Sequence, residues 1–252
     1  MVTALVLAII AGLADVLGGF FSVARKVSRT TLNYFIAISA GFILAVTFLD
    51  LYPEVIKGLS SAPQLILVGF VLIFITENFF AVHAHDGEEE HDHALFSGNK
   101  EEDLLKRHSI WAAFLGLLIH TFFDGAAIAA RLISSPAGGI LVFLAVLSHK
   151  IPEGFSMSSI FLAGGSRRLR SFAAAAALGG ATVIGAVVVY LSKQTDFSLT
   201  FLGLATGSFT YITTSELVPY ISGTKKRSGI LFFLLGIALY YLTAEILHTF
   251  GL

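Results

Sequence analysis

His120-Thr121-Phe122-Phe123-Asp124-Gly125 and His149-Lys150-Ile151-Pro152-Glu153-Gly154 each sit in the middle of a long apolar run. In both, a histidine precedes a carboxylate by four residues, so on a helix the two side chains share one face, a turn apart. A charged side chain at the centre of a bilayer costs roughly 2.5–3.5 kcal/mol, and ionisable residues there read as functional by default. Two imidazoles and two carboxylates facing one another make a four-ligand set suited to a borderline divalent ion such as zinc. The competing reading is a set of interhelical hydrogen bonds that simply holds two spans together.

The rest of the chain is of the same kind. Of its 252 residues 56% are hydrophobic and 13% charged, about half the charged fraction of a soluble domain. Apolar runs long enough to cross a bilayer lie at roughly 2–23, 32–57, 62–82, 108–132, 139–163, 170–192, 198–221 and 228–250. Only helices satisfy their own backbone within lipid without closing a barrel, so the expected fold is an all-α membrane protein of eight transmembrane helices, one domain over 1–252. The formal net charge of −1 offers no argument for nucleic acid, and the absence of cysteine leaves any metal to His, carboxylate, Asn or backbone ligands. The first run lacks a basic flank and a small-residue cleavage site, and is expected to be a retained span.

Basic residues set the orientation. Arg25, Lys26 and Arg29; Lys100, Lys106 and Arg107; Arg167, Arg168 and Arg170; and Lys225, Lys226 and Arg227 follow spans 1, 3, 5 and 7, against only Lys57, Arg131 and Lys193 on the other side. That asymmetry puts the four basic loops in the cytoplasm and both termini outside. The loop at 84–107, rich in His, Asp and Glu, includes His85, His91 and His93, with His83 just before it. Imidazoles interleaved with carboxylates could capture metal there, and a solvated acidic loop explains the same composition.

The chain also repeats itself. Gly41, Asp50 and Pro53 of span 2 recur as Gly207, Glu216 and Pro219 of span 7, each 166 residues on. Gly12, Ala14, Val16 and Gly18 of span 1 recur as Gly179, Ala181, Val183 and Gly185 of span 6, 167 residues on. Glu77 and Glu245 extend the match to spans 3 and 8, and spans 4 and 5 form their own pair, 29 residues apart. Spans five apart in order point opposite ways, so spans 1–3 and 6–8 are inverted repeats. That is the construction of alternating-access transporters with a polar site at mid-membrane. Within span 5, Pro152 lacks an N–H and frees the Ser148 carbonyl beside His149, while Gly125 and Gly154 let a neighbouring helix come close.

The whole chain resembles the ZIP family of divalent-metal transporters. The resemblance rests on His149-Lys150-Ile151-Pro152-Glu153-Gly154, on the looser match at His120 to Gly125, and on Asp50-Leu51-Tyr52-Pro53-Glu54 and Glu216-Leu217-Val218-Pro219. It implies a metal path between spans 2, 4, 5 and 7, two adjacent metal positions, and an elevator-like motion of spans 1, 4, 5 and 6. It carries over His120, Asp124, His149 and Glu153 as ligands, with Asp50 and Glu54 at the entrance and Glu216 at the exit. Three departures stand out. Thr121 and Phe123 replace the family's usual Asn and Pro, Asp124 replaces Glu, and span 6 shows Thr182-Val183 where a Glu-Pro pair is usual. These put the second metal position in doubt, and the Lys150 ammonium is the expected substitute for the second cation. Asp15 would pair with this bundle or line the path, and Arg131 and Asn33 would be interfacial.

The resulting expectation is transport of a divalent transition metal into the cytoplasm. Zinc is the first choice, and Fe²⁺, Mn²⁺ and Cd²⁺ are admitted by the ligand types. The ion is cargo, and no cofactor is expected. The short loops suggest a bacterial inner (plasma) membrane, and the resemblance allows a homodimer. The alternative is an intramembrane zinc-dependent hydrolase, although no His-Glu-x-x-His string occurs.

Overall fold

The computed structural model describes residues 2–24, 28–81, 100–192, 194–223 and 227–251. The loop histidines His83, His85, His91 and His93 lie outside them, as do the side chains of Glu77 and Asn78. Eight helical rods follow in chain order: α1 (Val2–Ala24); α2 (Arg29–Val46, continuing into Tyr52–Gly58); α3 (Ala62–Ala81); α4 (Lys100–Ser134); α5 (Pro136–Ala163); α6 (Arg168–Ser192); α7 (Thr195–Tyr211, continuing into Val218–Gly223); and α8 (Arg227–Thr249). These are the eight expected runs, and no strand occurs among the described residues. By length and composition α1, α2, α4, α5, α6 and α8 are each able to cross a membrane. The apolar stretch of α3 is shorter, and α7 is interrupted by a wide turn.

That turn has a counterpart. α2 passes through a π turn at Thr47–Leu51 and α7 through one at Ile212–Leu217. In each the chain leaves the wide turn through an N–H reaching five residues back, from Tyr52 to Thr47 and from Val218 to Thr213. A proline follows directly, Pro53 or Pro219, and cannot donate to the carbonyl four residues before it. The widened turns carry Asp50 and Glu216, the acidic residues related by the repeat. Single π turns of this kind often mark functional positions in helices.

Glycines show the inverted repeat in the packing. A methyl group at Gly12 would overlap the carbonyl oxygen of Gly179, and one at Gly179 would overlap that of Gly12. The same reciprocity holds further out. Gly18 abuts the Ile151 carbonyl and Gly185 that of Phe122, while Gly154 abuts Asp15 and Gly125 abuts Thr182. On the other helices Gly41 meets Phe233 and Gly207 meets Ile66. Each contact maps onto its partner under the sequence offsets, so a pseudo-two-fold axis runs between Gly12 and Gly179.

Two sets of helices result. α1 packs along α5 and α6, and α4 along α5 and α6; α3 packs along α7, and α8 along α2. The glycine contacts above all lie inside one set, where backbone meets backbone with no side chain between. Between the sets the contacts are made by side chains, such as Phe122 and Phe123 of α4 against Phe201 of α7. Gly185→Ala and Gly18→Ala, placing a methyl against rigid backbone, should each cost roughly 1–3 kcal/mol by overpacking. Gly180→Ala, at a glycine with nothing within 4 Å, should be neutral or gain up to about 1 kcal/mol from helix propensity. Thermal unfolding of the purified variants checks the contrast.

Candidate metal centre

α4 and α5 form a hairpin turned by a single residue, and that turn sets the register of the site. Ser135 caps α5, its hydroxyl accepting the Gly138 N–H at 3.2 Å, and Pro136 occupies the first turn, where a missing N–H costs nothing. His120 lies fifteen residues before Ser135 and His149 fourteen after. At about 1.5 Å per residue the two imidazoles are therefore level, roughly 22 Å from the hairpin tip. Their ring centroids are 5.7 Å apart. Asp124 lies a turn nearer the tip and Glu153 a turn farther from it.

The four side chains converge. His120 Nε2 is 3.4 Å from Asp124 Oδ1, His149 Nε2 is 3.4 Å from Asp124 Oδ2, and His149 Nε2 is 3.5 Å from Glu153 Oε2. One ligand atom from each of the four lies within 4.8 Å of all the others, and all four residues are buried. A tetrahedral ion with ligand bonds of about 2.0–2.2 Å holds its ligands about 3.3–3.6 Å apart. The three measured contacts fall within that range, two of them through different oxygens of Asp124. Among the described residues, Asp124 Oδ1, His149 Nε2 and Glu153 Oε1 are buried without a hydrogen bond, an arrangement that is costly unless a cation completes it. The second ring nitrogens are occupied: His149 Nδ1 lies 2.9 Å from the Ala145 carbonyl and His120 Nδ1 2.9 Å from Ser208 Oγ. That leaves both Nε2 atoms facing the carboxylates.

Among the described residues, Lys150 is one of the largest fully buried side chains. Its Nζ is 2.6 Å from Asp124 Oδ2, 3.0 Å from Glu153 Oε2 and 3.4 Å from Asp15 Oδ2. Asp15, on α1, thus pairs with the site. The pseudo-symmetry makes the origin of this charge plain, since Lys150 corresponds to Thr121 and Asp15 to Thr182. The mirrored half holds two hydroxyls turned back on their own helices, Thr121 onto Leu118 and Thr182 onto Leu178. Thr121 therefore adds no ligand to the cluster.

A cavity of about 400 Å³ leads from His120, His149 and Glu153 toward the end of the molecule where α2 begins at Arg29 and α5 ends at Ala163. Ser39, Leu117, Ile160 and Glu216 line it. In the opposite direction the way is filled by fully buried Val46, Leu51, Ile128, Val142 and Leu202. Beyond them Arg131 clamps Asp50 with two hydrogen bonds, Nε to Oδ2 at 2.9 Å and Nη2 to Oδ1 at 2.8 Å, and lies 3.6 Å from Glu54. Arg131 is therefore not interfacial, as its place near a helix end suggests; at 8% exposure it is an internal partner of the two carboxylates. Asn33 stays at the surface, accepting from Tyr220 at 2.7 Å, and Glu245 and His248 are exposed.

Sequence comparisons converge on one family. The model of the family described as ZIP zinc transporter matches residues 82–244. An uncharacterized protein of Methanocaldococcus jannaschii, MJ1036, is 30% identical over 203 residues, 80% of either chain. Zinc transporter ZIP9 of Micropogonias undulatus is 25% identical over 63% of this chain and 51% of its own length. Zinc transporter YKE4 of Saccharomyces cerevisiae is 24% identical over 78% and 64%. The chain thus spans about half to two-thirds of the two zinc transporters.

The buried pair of Lys150 and Asp15 can be tested apart from any metal. Lys150→Met leaves Asp15, Asp124 and Glu153 without their ammonium and should cost about 3–5 kcal/mol, whereas Asp15→Asn, which leaves Lys150 both Asp124 and Glu153, should cost less, and the double variant should cost less than Lys150→Met alone. A double-mutant cycle of chemical unfolding measures the difference.

Proposed function

Because this chain belongs to the ZIP zinc transporter family, whose members are transporters and not enzymes, we propose that it moves divalent transition-metal ions, zinc first, into the cytoplasm. His120, Asp124, His149 and Glu153 bind the ion in transit. The observation that carries this reading is the convergence of these four buried side chains, with one ligand atom from each within 4.8 Å of all the others. Formal charge supports it. With Lys150, Asp15, Asp124 and Glu153 all ionised, one ammonium stands against three carboxylates, and the net −2 is what one divalent ion cancels.

Lys150 stands in the place of a second cation, so the site holds a single ion. The imidazoles favour transition metals over Ca²⁺ and Mg²⁺, which prefer all-oxygen shells. Both termini lie outside, which makes the 400 Å³ cavity an inward-facing exit past Glu216. Asp50 and Glu54 lie at the outer end of the path, closed in this arrangement by Arg131. Release proceeds as α1, α4, α5 and α6 move against α2, α3, α7 and α8, since the seam between the sets is made by side chains.

Purified protein in liposomes should take up Zn²⁺, and His149→Ala should reduce uptake at least tenfold while the protein stays folded. Uptake that His149→Ala leaves unchanged would move the site elsewhere. Metal counting on the washed protein should give one ion per chain. Two ions per chain would overturn the place given to Lys150.

A further inference from the structure

The two imidazoles are held in different ways. His149 Nδ1 is satisfied inside its own helix by the Ala145 carbonyl, so that bond travels with α5. His120 Nδ1 is 2.9 Å from Ser208 Oγ, and Ser208 belongs to α7, in the other helix set. His120 is 2% exposed and Ser208 fully buried, and the Phe209 ring stands edge-on to the imidazole at 5.7 Å. A second hydroxyl crosses the same seam at nearly the same depth. Ser39 of α2 donates at 2.6 Å to the Ser148 carbonyl, the one that Pro152 releases beside His149.

We propose that Ser208 is a positioning residue of the ion site, fixing the His120 tautomer from the opposite helix set and so tying the site's affinity to how the two sets are placed. The inference rests on His120 being a ligand, as argued above. A neutral imidazole carries one N–H, and an ion takes the bare nitrogen. A serine hydroxyl can accept as well as donate, and as the acceptor at Nδ1 it keeps the proton there and leaves Nε2 bare toward Asp124; such outer partners also fix the ring plane. Any displacement of α4 along α7 breaks this bond and leaves the His149 bond intact. His120 is thus a full ligand in one arrangement of the helices and a looser one in others.

The test is Zn²⁺ affinity of the full-length purified protein, measured by competition with a fluorescent chelator. Ser208→Ala should bind about 10–100-fold more weakly than the unsubstituted protein, and Ser208→Thr, which keeps the hydroxyl, should recover most of that loss. Ser158→Ala is the control, because it deletes a buried hydroxyl that has no hydrogen-bond partner among the described residues, and it should leave affinity unchanged. Nitrogen-15 spectra of histidine-labelled, metal-free protein supply a readout that loosened packing does not mimic. His120 should show the Nδ1–H tautomer in the unsubstituted protein and a mixture in Ser208→Ala. Unchanged affinity or an unchanged tautomer in Ser208→Ala would overturn the inference while leaving the ion site standing if His149→Ala still abolishes binding. No Zn²⁺ binding by the unsubstituted protein would overturn both.

Discussion

An ammonium enclosed in a low-dielectric interior has to be answered by negative charge, and Lys150 is answered three times, by Asp15, Asp124 and Glu153. Much of the structure serves that balance. The one-residue turn at Ser135 brings α4 level with α5 and so places Asp124 beside Lys150. The glycine seams at Gly18 and Gly154 draw α1 against α5 closely enough for Asp15 to reach it. Without those seams the helices would separate and a charge would lie unpaired, at a cost of several kcal/mol. The same three carboxylates exceed the single ammonium, and the excess faces His120 and His149, where a cation is wanted. Packing and ligand chemistry are here one arrangement.

The scaffold is symmetric and the site is not. Helix contacts repeat across the pseudo-two-fold axis down to individual glycines, and both π turns recur with their acidic residue and proline. At the centre, though, one half carries Lys150 and Asp15 and the other Thr121 and Thr182. A symmetric scaffold gives two arrangements of similar packing energy, as a reversible transporter needs. On the function proposed above, an asymmetric centre fixes a single place for the ion within it.

Most of this could be read in the sequence, because the bilayer enforces helical spans and penalises idle charge. The eight rods, the repeat offsets, the approach of His120, Asp124, His149 and Glu153 to one another and the place of Lys150 beside them all followed from periodicity, spacing and resemblance. The parts that could not be read depend on tertiary geometry. A serine such as Ser208 or Ser39 looks the same whether it bonds its own helix, as Thr206 does, or reaches across to another. Arg131 sits three residues from a helix end, where a long cationic side chain usually extends to the interface. Only the meeting of α4 with α2 shows it turned inward to Asp50. The π turns left a trace in the spacing from acid to proline, but one extra residue in a helical turn has no composition of its own.

The cavity beside the proposed ion site has a further consequence. Two imidazoles and a carboxylate, His120, His149 and Glu153, line it together with largely aliphatic walls from Ile36, Leu117, Met157, Ile160 and Ile212. That is the negative image of a small amphiphile with a metal-chelating head and a short hydrocarbon tail. Such a compound, arriving from the open side with its own ion, would gain affinity from both ends of the cavity. Seated there, it would act as a wedge between α4 and α7 and trap the protein in one half of its cycle.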